Sequence, residues 1–156
     1  MENTKSSTAD RELYIEKTLN APIDLVWEAF TRPEHIANWY GPEGFTTTIF
    51  KMEVKPGGEW NFIMHGPDGT DYDNKNRFKE LVPLKKIVYE HVSYPPIEFT
   101  ITFEDRGEQT HLRWHMVFAS VEVFKDVIKN NGADEGLKQN IEKLARYMSK
   151  LSNTKK

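Results

Sequence analysis

Apolar and polar residues alternate along several separate segments between residues 48 and 118, and this alternation constrains the fold more than any other feature of the sequence. A period of two is typical of strands that bury one face, and turn residues between such segments indicate an antiparallel meander. In the clearest segment, residues 97–103, every second residue is a large apolar one and the residues between them are Glu or Thr. We therefore predict six consecutive antiparallel strands in this region. The residues expected to share the inward face of the first strand are Thr48, Phe50, Met52 and Val54.

The period changes on both sides of this region. Alternation over residues 13–19 predicts one more strand, and the segment that begins near Pro22 predicts a short helix. A second short helix is predicted after Pro33, and a third short helical element over residues 120–134. Over residues 137–151 apolar side chains recur at spacings of three and four, which predicts a helix of about 16 residues.

These elements describe an α+β chain whose sheet must cover one apolar face. The one long amphipathic element is the C-terminal helix, so we predict a curved antiparallel sheet of about seven strands wrapped around it, with two short helices after the first strand. Such a curled sheet leaves space at its ends, and this space is a candidate cavity. A chain of 156 residues has the size of one domain. We expect a flexible tail over residues 1–10, a single domain over 11–152 and a C-terminal tail over 153–156.

Composition narrows the classes of function. Cysteine is absent, which excludes disulfides and thiolate chemistry. The net charge of −3 comes from 21 basic and 24 acidic residues that are interleaved, so no nucleic-acid partner is expected. The sequence has no run of about 18 apolar residues, and its first ten residues have no apolar core, so neither a membrane span nor a secretory signal is expected. The expected location is the cytoplasm.

Motifs for catalysis or metal binding are weak. His111 and His115 are four residues apart on a predicted strand, which separates them by about 13 Å, too far for one ion to bridge. The acidic segment 68–74 lacks the glycine and the distal glutamate of a calcium loop and is predicted to be a hairpin turn. No nucleophile-elbow, zinc-protease, Walker or dinucleotide-binding pattern occurs. We expect no metal and no cofactor.

Three ordered segments carry a resemblance to a known family. They are NAPIDLVWEAFTRPEHIANWYGPEGF, KPGGEWNFIMHGPDGTDY and GADEGLKQNIEKLARYM, and the likeness extends over residues 12–150. On these segments the sequence is identified as a member of the START-like (SRPBCC) superfamily, and within it resembles the homologues of the activator of heat-shock-protein-90 ATPase. The resemblance implies a helix-grip fold, in which the sheet wraps the long helix and encloses a deep, mostly apolar pocket.

Polar residues on predicted inward faces are the candidates for ligand contacts, because burying them without partners costs a few kcal/mol each. Lys17 stands where the family often has Arg, which keeps the charge but not the bidentate geometry. Exposure to solvent near the strand ends is as good an interpretation of Lys17 and the asparagines as contact with a ligand. Trp39 and Tyr40, beside a Gly-Pro turn, are predicted at the pocket mouth. The complete set of predicted cavity residues is Lys17, Trp39, Tyr40, Phe50, Met52, Trp60, Phe62, Met64, Tyr72, Asn74, Asn76, Tyr89, His91, Phe99, Ile101, Trp114, Leu137, Ile141 and Leu144.

Three functions remain open. The first is a non-catalytic protein that holds an apolar or amphipathic small molecule in the cavity. The second is a chaperone-associated interaction domain with a role in the stress response, which the resemblance implies. The third and least favoured is a cyclase- or hydrolase-like enzyme working in the same cavity, with His91, Glu80 or Tyr72 as the general base.

Overall fold

One antiparallel sheet of seven strands carries the fold, and the computed structural model describes residues 9–155 of the chain. Its strands lie in the order β1-β7-β6-β5-β4-β3-β2, and every neighbouring pair is antiparallel. The predicted α+β class, the element order and the terminal helix are confirmed. The elements are β1 (Glu12–Leu19), α1 (Ile23–Thr31), α2 (Pro33–Trp39), β2 (Thr46–Met52), β3 (Glu59–His65), β4 (Asp71–Val82), β5 (Lys86–His91), β6 (Ile97–Arg106), β7 (Gln109–Phe118), α3 (Val121–Asn131) and α4 (Ala133–Lys155).

The core lies between the inner face of the sheet and the helices α1, α2 and α4. Strict alternation along β6 and β7 places their apolar residues on this face, as predicted. The stripe of α4 also faces inward, and its buried members are Leu137, Ile141, Leu144 and Met148. Burial of this stripe against the sheet holds the long helix, because helices in water gain most of their stability from packing.

Helix α4 is longer than the predicted 16 residues, since it continues from Ala133 to Lys155. Acidic residues in its first turn favour the positive end of the helix dipole and extend it at that end. Residues 153–155, predicted to belong to a tail, form its last turn. Residues 1–8 of the predicted N-terminal tail and residue 156 lie outside the described residues, and the domain limits stay a prediction.

Strand β2 departs from the predicted alternation. Its pairing with β3 shifts between Ile49 and Lys51, which is a β-bulge at Phe50. A bulge reverses the faces of the residues that follow it. Thr47 and Ile49 therefore face inward before the bulge, whereas Phe50 is 65% exposed. The prediction that Thr48 and Phe50 face the interior is wrong for this reason.

The short helix α3 and the long helix α4 meet at a corner at Gly132. The Ser120 hydroxyl caps α3 by accepting a hydrogen bond from the Val123 N–H at 3.1 Å. The helix ends at Gly132, whose φ of 60° is the left-handed conformation that glycine adopts without strain. The corner places the end of α3 and the start of α4 over one end of the sheet. Within residues 9–155, none of the helices is long and apolar enough to span a bilayer.

Candidate ligand-binding cleft

A cleft of about 740 Å³ opens between the inner face of the sheet and the corner of α3 and α4. Strands β3 to β7 form its floor, the loop over residues 41–45 forms one wall, and the two helices form the other. We call this hollow the cleft. It is lined by Tyr40, Gly41, Pro42, Phe45, Phe62, Met64, Asp71, Tyr72, Asp73, Asn74, His91, Tyr94, Pro95, Ile97, Phe99, Trp114, Met116, Val127, Asn130, Ala133, Gly136, Leu137 and Asn140.

The floor of the cleft is aromatic. The ring of Tyr40 lies 5.6 Å from that of Phe62 and 6.4 Å from that of Trp114. Its hydroxyl is 2.8 Å from the Tyr89 hydroxyl. Burial raises the pKa of Tyr40 to about 12, and burial also raises the pKa of Tyr89 well above its usual range. Both phenols therefore stay neutral at physiological pH and act only as hydrogen-bonding groups.

The mouth of the cleft combines aromatic rings with negative charge. Tyr72 and Tyr94 are 43% and 65% exposed. The Tyr94 hydroxyl donates a hydrogen bond to Asp126 Oδ2 at 2.8 Å, which fastens the β5–β6 loop to α3. Among the described residues that line the cleft, the carboxylates are Asp71 and Asp73, and neither Lys nor Arg is present. The charged side chains that line the mouth are therefore acidic.

His91 lies between the floor and the mouth and is held from both sides. Its Nδ1 lies 2.7 Å from the Pro95 carbonyl oxygen, and its Nε2 lies 2.7 Å from Asn74 Oδ1 and 3.2 Å from Ser93 Oγ. Burial lowers its pKa, so the neutral ring is favoured at physiological pH. In the neutral ring, the Nδ1–H donates to the Pro95 carbonyl and Nε2 accepts from the Ser93 hydroxyl, because the Asn74 amide oxygen cannot donate. The lone pair of Nε2 therefore already has a donor, and the ring is anchored rather than poised to accept a substrate proton.

The wall over residues 41–45 is tied to α4. Lys143 Nζ donates to the Phe45 carbonyl at 2.9 Å and to the Pro42 carbonyl at 3.3 Å. Burial lowers the pKa of Lys143. Asn140 Nδ2 donates to the Trp39 carbonyl at 2.7 Å, just before the loop. Gly41 has a φ of 109°, and a Cβ at this position would meet the Met64 methyl group at 2.9 Å, so this position requires glycine.

The predicted cavity residues fall into three sets. Nine line the cleft, namely Tyr40, Phe62, Met64, Tyr72, Asn74, His91, Phe99, Trp114 and Leu137. Seven lie buried outside its lining, namely Trp39, Trp60, Asn76, Tyr89, Ile101, Ile141 and Leu144. Lys17, Phe50 and Met52 lie elsewhere.

Trp39 and Lys17 are placed differently from the prediction. Trp39 is fully buried, and its indole N–H donates to the Ala29 carbonyl at 2.9 Å, so it belongs to the core and not to the mouth. The physical reason is that Trp39 shares the inner face of α2 with Ile36. Lys17 forms an ion pair with Glu142 on α4 at 2.9 Å, away from the cleft.

Sequence reasoning missed the residues that the corner of α3 and α4 contributes to the cleft. Val127 and Gly136 are examples, and so is Tyr94 from the β5–β6 loop. The apolar face of α3 was the available signal for Val127, but the corner that turns it over the sheet cannot be deduced from periodicity. Asp71 and Asp73 were assigned to a turn, and they line the mouth because β4 begins at Asp71.

Other candidate chemistry is dispersed over the surface. Glu80 pairs with Lys86 at 3.3 Å and does not line the cleft. His111 Nε2 lies 2.6 Å from Glu16, and His115 Nε2 lies 2.5 Å from Glu12. Residues 9–155 contain no group of three or more His, Asp or Glu side chains arranged to hold a metal ion.

A second hollow of about 720 Å³ lies at the other end of α4. Its lining is mostly polar, and two of its members already bond to each other, since Gln109 donates to Asn20 at 2.7 Å. Pockets that bind small molecules are mainly lined by apolar and aromatic side chains. The cleft is therefore the better candidate.

Solved structures with the same architecture come from several bacteria. A protein of Arthrobacter aurescens has 21% identity and a TM-score of 0.86, covering 92% of this chain and 89% of that one. A protein of Nitrosomonas europaea has 21% identity and a TM-score of 0.79, covering 91% and 96%. The AHSA1 protein from Silicibacter pomeroyi has 15% identity and a TM-score of 0.71, covering 88% and 97%. At these identities the likeness establishes the fold.

Sequence comparison establishes the family. A search of curated proteins found no significant match. A family model described as activator of Hsp90 ATPase homolog 1-like protein matches residues 20–149, which include both helices after β1, the strands β2 to β7, α3 and most of α4. The chain therefore belongs to the activator of Hsp90 ATPase homolog 1-like family, within the START-like superfamily.

Proposed function

We propose that this protein binds an apolar or amphipathic small molecule in the cleft and does so without catalysing a reaction. The observation that carries the proposal is a hollow of about 740 Å³ with an aromatic floor. Pockets for drug-sized ligands measure about 300–1,000 Å³ and combine an apolar lining with a few polar groups. Here Asn74 and His91 supply such groups between the floor and the mouth.

Side-chain chemistry favours binding over catalysis. The phenols of Tyr40 and Tyr89 stay protonated because burial raises their pKa values. The His91 Nδ1–H donates to the Pro95 carbonyl, and its Nε2 accepts from the Ser93 hydroxyl. A general base needs a free lone pair within reach of the substrate proton. The groups best placed in the cleft therefore orient a ligand more readily than they remove a proton from it.

The test is binding of N-phenyl-1-naphthylamine, an uncharged probe whose fluorescence rises in apolar surroundings. Gly136 lines the cleft on α4, and a Cβ at this position would lie 3.5 Å from Pro42, an ordinary contact. The variant Gly136→Leu should fold well because glycine is unfavourable inside a helix. Its side chain fills the cleft, so affinity should fall by about fivefold to 150-fold, the equivalent of the 1–3 kcal/mol that overpacking costs.

Lys138→Leu is the matched control, since it adds the same side chain to an exposed position of the same helix. It should bind the probe as the wild type does. Equal affinity in all three proteins would place the probe elsewhere, and no binding to the wild type would remove the proposed function.

A chaperone-associated role is the second candidate, because the family description names an activator of the Hsp90 ATPase. Purified Hsp90 should then hydrolyse ATP faster when this protein is added. Stimulation that Gly136→Leu leaves intact would assign this role to a surface other than the cleft. An unchanged ATPase rate, together with no complex in gel filtration, would remove this candidate.

A further inference from the structure

Three side chains form a hydrogen-bonded chain across the β2 edge of the sheet. Thr48 Oγ1 lies 2.8 Å from His65 Nε2, and His65 Nδ1 lies 2.8 Å from Asp71 Oδ1. They come from the neighbouring strands β2, β3 and β4, so the sheet itself fixes their spacing. Thr48 and His65 do not line the cleft, and Asp71 reaches its mouth. We call Thr48, His65 and Asp71 the triad.

The carboxylate determines the direction of both hydrogen bonds. A carboxylate only accepts, so His65 Nδ1 carries the hydrogen that faces Asp71. In the neutral ring Nε2 then has the lone pair, and the Thr48 hydroxyl donates to it. This is the arrangement of an activated nucleophile, in which a general base accepts the hydroxyl proton and a third group orients the base. Thr48 is therefore the nucleophile, His65 the base and Asp71 the positioning residue.

Thr48 is open to solvent on an edge strand. The residue is exposed, and β2 is the last strand in the sheet order. The strand at the edge of a sheet presents backbone N–H groups that no neighbouring strand pairs. Backbone N–H groups are the usual donors to the oxyanion of acyl transfer. An acyl donor can therefore reach the Thr48 hydroxyl close to donors of this kind.

A second group with the same residue types is less accessible. Thr18 Oγ1 lies 2.9 Å from His111 Nδ1, and His111 Nε2 lies 2.6 Å from Glu16 Oε1. Thr18 is half-buried, and the His111 side chain is only 13% exposed. The Thr18 hydroxyl also faces Nδ1, the ring nitrogen nearer the backbone, where an incoming acyl group is crowded. This group is therefore an internal control for the triad.

Apolar surface beside Thr48 indicates the class of acyl donor. Phe50 lies two residues further along β2 and is 65% exposed, and Ile63 lies directly opposite Thr48 on β3. An aromatic ring packs favourably on such a surface. An aryl ester supplies this ring as its leaving group, and a phenol departs more readily than an alkyl alcohol or an amine.

We propose that Thr48 is a modification site, at which its hydroxyl accepts an acyl group from activated aryl esters. The Thr48 oxygen bonds to the carbonyl carbon, the bond from this carbon to the aryl oxygen breaks, and His65 passes the Thr48 proton to the departing phenol. The products are acylated Thr48 and a free phenol. The proposal is independent of ligand binding in the cleft.

Brief treatment with 4-nitrophenyl acetate, followed by tandem mass spectrometry, tests the proposal. We expect an acetyl ester on Thr48 that neutral hydroxylamine removes, whereas acetyl groups on lysine resist it. His65→Gln should lower the rate of acetylation at Thr48 about a hundredfold, the lower end of what a positioned general base contributes. Thr48→Val keeps the shape of an exposed strand residue, so it should fold normally and lose the hydroxylamine-sensitive label.

Thr46 is the matched control on the same strand. It lies two residues before Thr48 and is also exposed, but its hydroxyl has no hydrogen bond to a base within residues 9–155. Thr46 and Thr18 should stay unmodified while Thr48 reacts. Equal acetylation of Thr46 and Thr48 overturns the proposal, and so does labelling of lysines alone. Both results leave the proposed function of the cleft standing.

The role of Asp71 is tested by a pair of variants. An amide at this position presents its N–H to the ring and favours the other tautomer, so Asp71→Asn should lower the rate of acetylation at least about tenfold. Asp71→Glu keeps the carboxylate and should retain most of the rate. Equal rates in the two variants overturn this role.

Phe50→Thr tests the class of acyl donor. The rate with 4-nitrophenyl acetate should fall about fivefold relative to the rate with acetyl phosphate, an activated donor that has no ring. An unchanged ratio of the two rates overturns the assignment to aryl esters.

Discussion

The two halves of the inner sheet face differ in what covers them. In the packed half, Phe30 and Trp39 from the short helices fill the space against Phe103 and Trp114, with ring centroids 5.2 to 6.0 Å apart across this contact. In the cleft half, the floor around Phe62 and Phe99 faces an open hollow. The strands present similar apolar residues in both halves, so alternation alone does not create the cleft.

The covering helix makes the difference. Where α4 crosses the packed half it carries large residues, and Ile141 and Leu144 are at most 1% exposed. Where it starts, over the cleft, it carries Ala133 and Gly136, which leave room. A single amphipathic helix therefore closes the core at one end and leaves the cleft open at the other.

Substitutions that remove a large side chain should separate the two halves most strongly. Trp39→Ala removes a fully buried ring and should lower the free energy of unfolding by about 3–5 kcal/mol. Met116→Ala should cost about 2 kcal/mol, the lower end for such a substitution, because Met116 borders a hollow that is already present and little new cavity is made. Urea denaturation of both variants measures the difference. Equal costs would mean that the cleft is closed in solution.

Acidification should act on the cleft half through His91. Burial lowers its pKa below the ordinary value of 6.5, so the unfolded chain takes up this proton at a higher pH than the folded one. The neutral His91 ring therefore makes its full contribution to the free energy of unfolding above about pH 6.5. This contribution is lost as the pH falls from there towards the lowered pKa of the folded protein. Denaturation midpoints measured from pH 8 to pH 5 should fall more in the wild type than in His91→Gln. Parallel curves would show that His91 protonates without strain.

Sequence alone predicted the fold better than the cleft. The faces of β6 and β7 could be deduced because these strands pair without irregularity over their whole length. The bulge at Phe50 could not be deduced, since no residue type in TTTIFKM marks it. The position of Trp39 beside a Gly-Pro turn favours the mouth of the pocket, but its spacing of three from Ile36 places both residues on the buried face of α2. Residues such as Val127 reach the cleft only through the corner of two helices, which depends on tertiary packing.

Removing the negative charge at the mouth should change the selectivity between anionic and neutral ligands only weakly, because these carboxylates are exposed. In the double variant Asp71→Asn/Asp73→Asn, the affinity of 2-naphthoate relative to 2-acetonaphthone should rise about threefold at low salt. Surface charges interact weakly through water, which limits the effect. The same ratio in 0.5 M NaCl should differ little between variant and wild type. An affinity ratio that changes neither with the substitutions nor with the salt would mean that the ligand enters by another route.

The smallest change in stability is expected for a substitution on the outer face of the sheet, and it serves as the reference for both halves of the inner face. Phe50 is 65% exposed at the bulge, and Phe50→Thr keeps a residue suited to strands, so stability should change by no more than about 0.5 kcal/mol. Ile49→Thr, one position earlier, places a hydroxyl on the inner face and should cost about 1–3 kcal/mol. Urea denaturation measures both losses of stability. Which of the two variants is the less stable depends on the bulge. If Phe50→Thr were the more harmful, β2 would pair without a bulge and Phe50 would point inward, so the neighbouring wall of the cleft would consist of different side chains.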